Sequence, residues 1–414
     1  MIWNYKPNHQ FIEKSVAKEV ITNEKKDIID VLKPYRAVIH TDNTYKGTTS
    51  TSYIQSVLSY LENVNADDLT LIDNNLSVQQ INELMSVNNR LTMFWSANIP
   101  LQSFIEILKF ETEYLPEISF DRIILDWNSI NKNRKLTVFL LNTTNRTLYR
   151  TTIEHQLESR VLNTFVEPTK SFYIYSEIKR GNFLSLYTPA NSVESVKYMY
   201  LMNKDIPIDK FKKILFQNQE IIQQSETDSI KQYNDSMSKM TVDTKNRILN
   251  YVYTRSVGLA SIEPSRLLRE SFNFINEHGG YNADYRLSLI NIDKHIVEYQ
   301  MYYQGLPVFS AETATKISTT WGDEEIHKYR RPYYVLENDI PTEMKVKYLP
   351  SGLEIVEKYV HSDQDIKDLV LGYYLIQNLE LNVFELEPAW FTLKENSWER
   401  VKLENIGGIP NGLE

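Results

Sequence analysis

A helix, an abrupt stop and a hairpin are written into residues 264–310, and no other stretch narrows the choice of fold as far. Pro264 can open the helix where an amide is not needed, and Leu268, Phe272 and Ile275 recur on one helical face. His278-Gly279-Gly280 then ends it, because glycine takes the positive φ of a helix C-cap without steric cost. Beyond the stop the period changes to that of a strand. Tyr285, Leu287 and Leu289 alternate with polar residues, a turn falls at Asp293-Lys294, and Val297, Tyr299, Met301 and Tyr303 alternate again. That is the pattern of a half-buried antiparallel hairpin. The Gln304-Gly305-Leu306-Pro307 turn leads into a third strand at Val308-Phe309, and a further hairpin closes at Trp321-Gly322-Asp323 before Tyr329-Arg330-Arg331-Pro332. The unit predicted is one helix laid across an antiparallel meander.

This unit accounts for a fraction of 414 residues, a length that asks for two or three domains. Only 12 glycines and as many as 27 tyrosines argue for packed cores rather than linkers. A net charge of −9 without a long Lys/Arg run speaks against nucleic acid as a partner, since phosphate contact needs a basic face. The absence of cysteine excludes a thiol nucleophile, a disulfide and a thiolate metal site, and leaves the compartment open. No run approaches the roughly 18 apolar residues of a membrane span; the most apolar stretch is short and lies near Leu369–Ile376.

Taken in order, residues 8–26 read as a polar tether ending in a strand-like Ser15–Thr22 piece. Tyr35–His40 is the first firm strand, and Ser50 or Thr51 can cap a helix whose Ile54, Val57, Leu58 and Leu61 share a face. Strands follow at Leu69–Ile72 and Arg90–Trp95, with a helix at Val78–Met85 between them, an alternation that predicts an α/β-like lobe. Leu101–Phe110 reads as an amphipathic helix, then strands at Ile118–Asp126, Lys135–Leu141 and Thr147–Ile153, then a helix over Glu154–Leu162. Pro168 marks a boundary. Further strands are expected at Phe172–Ile178, Phe183–Tyr187, Val196–Met202, Ser238–Thr241 and Ile248–Tyr253, with a helix after Pro207 and a polar stretch from Gln217 to Tyr233. A helix near Asp363–Gln377 should precede strands at Asn382–Leu386 and Trp390–Leu393. The fold class is therefore α+β in three domains: an N-terminal α/β-like lobe with its tether over 1–165, and two modules of helices packed on antiparallel sheets over 166–256 and 257–414.

The chain holds no Walker A loop, GxGxxG, GxSxG or HExxH, so no cofactor is implied. Ser15–Lys18 and Ser236–Lys239 match SxxK, but the SDN-like and KTG-like partners of a penicillin-recognising enzyme are missing. The seven histidines stand singly, without metal-ligand spacing. His278 precedes the two glycines and is expected to meet the terminal carbonyls of its helix. Asp323-Glu324-Glu325 lacks the alternating ligands of a calcium loop and reads as a hairpin tip. Arg330-Arg331 could bind an anion, although arginine stems also cover apolar strands. Trp321, Trp390 and Trp398 read as core rather than as a sugar-stacking platform.

Phe274-Ile275-Asn276 with His278-Gly279-Gly280, Asp284-Tyr285-Arg286, Tyr302 with Gly305-Leu306-Pro307-Val308-Phe309-Ser310, Thr319-Thr320-Trp321-Gly322 and Tyr329-Arg330-Arg331-Pro332, in that order, resemble the C-terminal domain of the YycH family. Pro34…His40, Tyr45 with Gly47-Thr48-Thr49, and Phe120-Asp121-Arg122-Ile123-Ile124 extend the likeness to the family's N-terminal domain. The resemblance implies a non-enzymatic regulator at the extracytoplasmic face of the membrane of Gram-positive bacteria. Its implied partners are the WalK (YycG) sensor histidine kinase and a YycI-like protein, the family's C-terminal module being itself YycI-like, and a homodimer is expected. Its motif residues here are Trp3, Pro7, His278, Gly279, Gly280, Gly305, Pro307, Trp321, Gly322 and Arg330. In the family a single membrane helix precedes a segment like Trp3-Asn4-Tyr5-Lys6-Pro7, so the chain is expected to be an ectodomain whose anchor has been replaced by a start Met; an ordinary N-terminus with exposed aromatics is the other reading. From another class, helix-on-meander domains also serve as propeptide-like or cystatin-like inhibitors, or as sensors of a wall fragment. A cleft of convergent ionisable groups would favour a catalytic reading, and an exposed apolar sheet edge would favour binding.

Overall fold

The structure, a computed structural model, describes residues 25–403 except 113, 203, 217–218, 255–260, 323–324, 337–342, 361–365 and 395–396. Trp3, Pro7, His9, His361, the Ser15–Lys18 match and the Ser15–Thr22 strand lie outside the described residues. What is described is α+β, with helices set against two large sheets.

The first sheet has nine strands, in the order Phe183–Pro189, Tyr173–Arg180, Thr44–Thr48, Arg36–Thr41, Arg90–Pro100, Ser119–Asp126, Leu136–Asn142, Thr147–Ile153 and Thr70–Asp73. Its neighbours pair antiparallel throughout. Ser119–Asp126 lies inside it, between Arg90–Pro100 and Leu136–Asn142, and is buried at every position after Ser119, which is why Ile123, Ile124 and Leu125 run apolar without alternation, while the buried Asp121 and Arg122 pair with each other. The helix Thr51–Glu62 starts where Ser50 Oγ accepts the Tyr53 amide, and it buries Ile54, Val57, Leu58 and Leu61. Tyr53 Oη donates to the Phe165 carbonyl at 2.8 Å, joining it to the helix Glu158–Phe165. Ser77 and Gln80 form a capping box on Val78–Met85.

The second sheet has fourteen strands and carries the predicted meander at its middle. Asp284–Asn291 and Ile296–Tyr303 form the expected hairpin, with a bulge between Leu287 and Leu289. On one side of Ile296–Tyr303 follow Lys316–Trp321, Ile326–Pro332, Ile248–Tyr253, Ser238–Asp243, Ile230–Asn234 and Gln223–Thr227. On the other side Leu306–Phe309 leads by a parallel pairing to Ile366–Asn378, then Val383–Lys394, Val193–Leu201 and the edge strand Glu343–Leu349. Residues 173–189 therefore pair with the first sheet, whereas 193–201 and 223–253 pair with the second. A single apolar core reaches from Val31 and Leu32 through strands of both sheets to Leu386.

Three local expectations are corrected. The helix expected near Asp363–Gln377 is the strand Ile366–Asn378, paired along its length with Val383–Lys394; the two expected strands that follow are this one partner strand. Its Leu369–Ile376 run is apolar and aromatic without a gap, a pattern that a strand covered on both faces and a buried helix share. The helix of this region is instead Gly352–Tyr359, capped by Ser351. Leu101–Phe110 is one helical turn, Leu101–Phe104, followed by the short strand Lys109–Phe110, because the Leu101 amide is drawn to the Ile118 carbonyl and Lys109–Phe110 pairs parallel with Asn65–Ala66. The polar stretch after Gln217 contains the strands Gln223–Thr227 and Ile230–Asn234; the first is exposed at all positions, so no alternation betrays it.

Candidate interaction surfaces

The helix Pro264–Glu277 buries Leu267, Leu268, Phe272 and Ile275 and ends at His278. Gly280 donates its amide back to the Ile275 carbonyl at 2.8 Å, and Gly279 sits at φ +114°, which only glycine adopts readily. His278 Nδ1 donates to the Phe274 carbonyl at 2.9 Å, since a carbonyl only accepts, and its ring stacks on Phe274 at 4.0 Å. Behind this turn lies Arg331, with no exposed surface. It donates Nη1 to the Gly280 carbonyl (2.9 Å) and to Tyr329 Oη (2.8 Å), Nη2 to Asn282 Oδ1 (3.0 Å) and Nε to the Pro332 carbonyl (3.1 Å). A Cβ on Gly279 would stand 2.4 Å from Arg331 Nη1. The adjacent Arg330 is exposed. The sequence offered Arg330-Arg331 as a pair without saying which is enclosed, and the signal was there: Arg331 shares the strand's inner face with Tyr329, two positions away.

His278 and Trp321 flank one cleft of about 350 Å3 between the end of this helix and the Ser238–Tyr253 hairpin. Phe274 and Trp321 meet edge to face at 6.1 Å on one wall, and Tyr251 and Tyr253 form another. Gly322 donates its amide to the Glu325 carbonyl at 2.9 Å, which closes the hairpin beside the cleft. Among the described residues no group of three metal-ligating side chains is present.

Gly305 and Pro307 lie elsewhere, at the junction of the two sheets. Gly305 has φ +77°, and a Cβ there would fall 2.3 Å from the Thr49 carbonyl oxygen. Leu306 and Pro307 border a cavity of about 150 Å3 together with Tyr35, Arg36 and Trp390. Arg36 donates Nη2 to both oxygens of Asp368 (2.8 and 3.0 Å) and Nη1 to the Tyr187 carbonyl (2.9 Å), while Tyr35 Oη donates to Asp368. Burial, the largest influence, disfavours the Arg36 charge, but the Asp368 carboxylate together with Tyr35 and Tyr175 holds the guanidinium protonated above its ordinary range; burial, then Asp368, push the Tyr35 phenol well up.

The Glu343–Leu349 strand is paired with Val193–Leu201 on one side and, among the described residues, lies at the edge of the second sheet. Its Met344, Val346 and Tyr348 point to one face and are 63%, 54% and 67% exposed. On the opposite face Lys345 pairs with Glu343 and Lys347 with Glu387. No described helix is long and apolar enough to cross a membrane.

Two family models match the chain, the YycH protein N-terminal domain over residues 1–169 and the YycH protein C-terminal domain over 184–407. The two-component system WalR/WalK regulatory protein YycH of Bacillus subtilis (strain 168) is 20% identical over 410 residues, covering 94% of this chain and 89% of that protein. The crystal structure of YycH from Bacillus subtilis superposes with a TM-score of 0.77 at 18% identity, over 93% of this chain and 99% of that one, a likeness of fold.

Proposed function

This chain belongs to the YycH family, and we propose that it is a non-enzymatic regulator of WalKR two-component signalling. It acts by binding the WalK sensor kinase and a YycI-like protein at the extracytoplasmic membrane face, held there by an N-terminal membrane helix. Homodimerisation belongs to the same reading. The relative in Bacillus subtilis is named for the WalR/WalK system, which supports the choice of kinase. The observation that carries binding is the edge strand Glu343–Leu349. A strand with no second partner strand among the described residues, and with Met344, Val346 and Tyr348 exposed along one face, is the form in which sheets take up a partner strand or an apolar surface.

The test uses the protein anchored to Gram-positive membranes as bait in detergent, with immunoblots for the kinase and the YycI-like protein. Both should be recovered, and Val346→Glu should weaken recovery while leaving the melting temperature in place. If the unmodified bait captures neither, the reading fails. Sedimentation of the purified chain examines self-association, and a monomer at every concentration would remove the homodimer.

A further inference from the structure

The cleft of about 350 Å3 beside His278 and Trp321 has an electrostatic character that the family reading leaves unused. Its size falls in the range of small-ligand sites, which begin near ~300 Å3. Asp235 and Glu325 are the acidic side chains among the described residues that line it, and no lysine or arginine is among them. Two helices end there, Ile208–Leu215 with Leu215 and Pro264–Glu277 with His278, and helix C-termini carry partial negative charge. The walls are aromatic: Phe274, Trp321, Tyr251 and Tyr253 offer π-faces or edges within one cavity. Ile214 and Met237 supply an apolar lining. The fields of both carboxylates reach the same wall, for the Tyr251 phenol is raised first by burial and further by Asp235 and Glu325.

The geometry points to a binding site for a small organic cation, an ammonium or guanidinium carried on an apolar body. The head is attracted by aromatic faces and by Asp235 and Glu325, and the body lies against Ile214 and Met237. An anion would meet carboxylates and helix C-termini. A neutral apolar molecule would leave their negative potential unanswered.

The probe is 2-phenylethylammonium, compared with 2-phenylethanol, titrated into the whole chain at low salt by calorimetry and by indole NMR. The cation should bind about tenfold more tightly than the alcohol, within the range of a partly desolvated cation–π contact, and should move the Trp321 indole resonance. Asp235→Asn keeps the side-chain oxygen that accepts the Met237 and Ser238 amides, so the turn survives while the charge is lost. That variant and Glu325→Gln should each weaken the cation about threefold or more and leave the alcohol unchanged. The inference is overturned if the alcohol binds as tightly as the cation, if Trp321 does not respond, or if both variants bind the cation as the parent does. The exposed Glu325 gives a reading that does not depend on the folding of a core variant.

Discussion

Arg331 is a fully buried guanidinium whose named partners are carbonyls, an amide oxygen and a phenol. Removing it leaves the Gly280 carbonyl and Asn282 Oδ1 without their donor, and the cost of such stranded groups is about 2–4 kcal/mol. Arg331→Met is therefore expected to lose that much in urea unfolding, whereas Arg330→Ala stays within ~0.5 kcal/mol; equal losses at the two positions would contradict the assignment. Sequence alone reached this tetrapeptide without separating its two arginines by burial: Arg331 is enclosed and Arg330 is at the surface. The period of the strand held the answer, but it becomes decisive only when Tyr329 is known to face inward. Acid–base behaviour belongs to this scale too. Burial pushes the phenols of Tyr175 and Tyr302 up to about 12, from an ordinary value near ~10. A proton held more tightly in the folded chain contributes stability that is whole below pH ~10 and is lost as pH rises through ~12. Alkaline unfolding in that window, followed by tyrosinate absorbance and circular dichroism together, is the expected result; stability unchanged across it would be evidence against buried phenols.

Among the elements, the short strand Leu306–Phe309 has a reach beyond its length, because it pairs antiparallel with Tyr302-Tyr303 and parallel with Tyr373-Tyr374 and so joins the two halves of the second sheet. Gly305 starts it, in a left-handed conformation and pressed against the Thr49 carbonyl, one residue beyond the Thr44–Thr48 strand of the first sheet. Gly305→Ala should cost at least ~2 kcal/mol through backbone strain and the forced retreat of Thr49, measured by chemical denaturation; a neutral result would mean the sheets do not approach this closely in solution. This turn was legible as a turn. Its partner Ile366–Asn378 was not legible as a strand, because an uninterrupted apolar run fits a buried helix as well, and the choice rests on the strands that flank it.

At the scale of the molecule, residues 166–256 form local hairpins, yet three of their strands also take neighbours far away in the chain. Tyr173–Arg180 pairs with Thr44–Thr48, Val193–Leu201 lies between Val383–Lys394 and Glu343–Leu349, and Ile248–Tyr253 pairs with Ile326–Pro332. A piece consisting of 166–256 alone is expected to stay unfolded, with narrow amide dispersion in NMR; a well-dispersed spectrum would show that it carries a core of its own. The buried Arg36–Asp368 pair ties the sheets in the same manner, so Asp368→Ala, which strands the guanidinium, should cost about 3–5 kcal/mol and lower the midpoint of unfolding. What local chemistry settled is considerable: the capped helices at Thr51 and Val78, the Gly279-Gly280 stop, the Asp284–Tyr303 hairpin and the exclusion of thiol chemistry all follow from residues within a few positions of one another. Strand order, the burial of Arg331 rather than Arg330, the cleft between Trp321 and Asp235 and the open edge at Val346 were decided by the assembled fold. Each depends on pairing between segments distant in the chain, and periodicity reports which face of a segment is apolar without saying what will cover it.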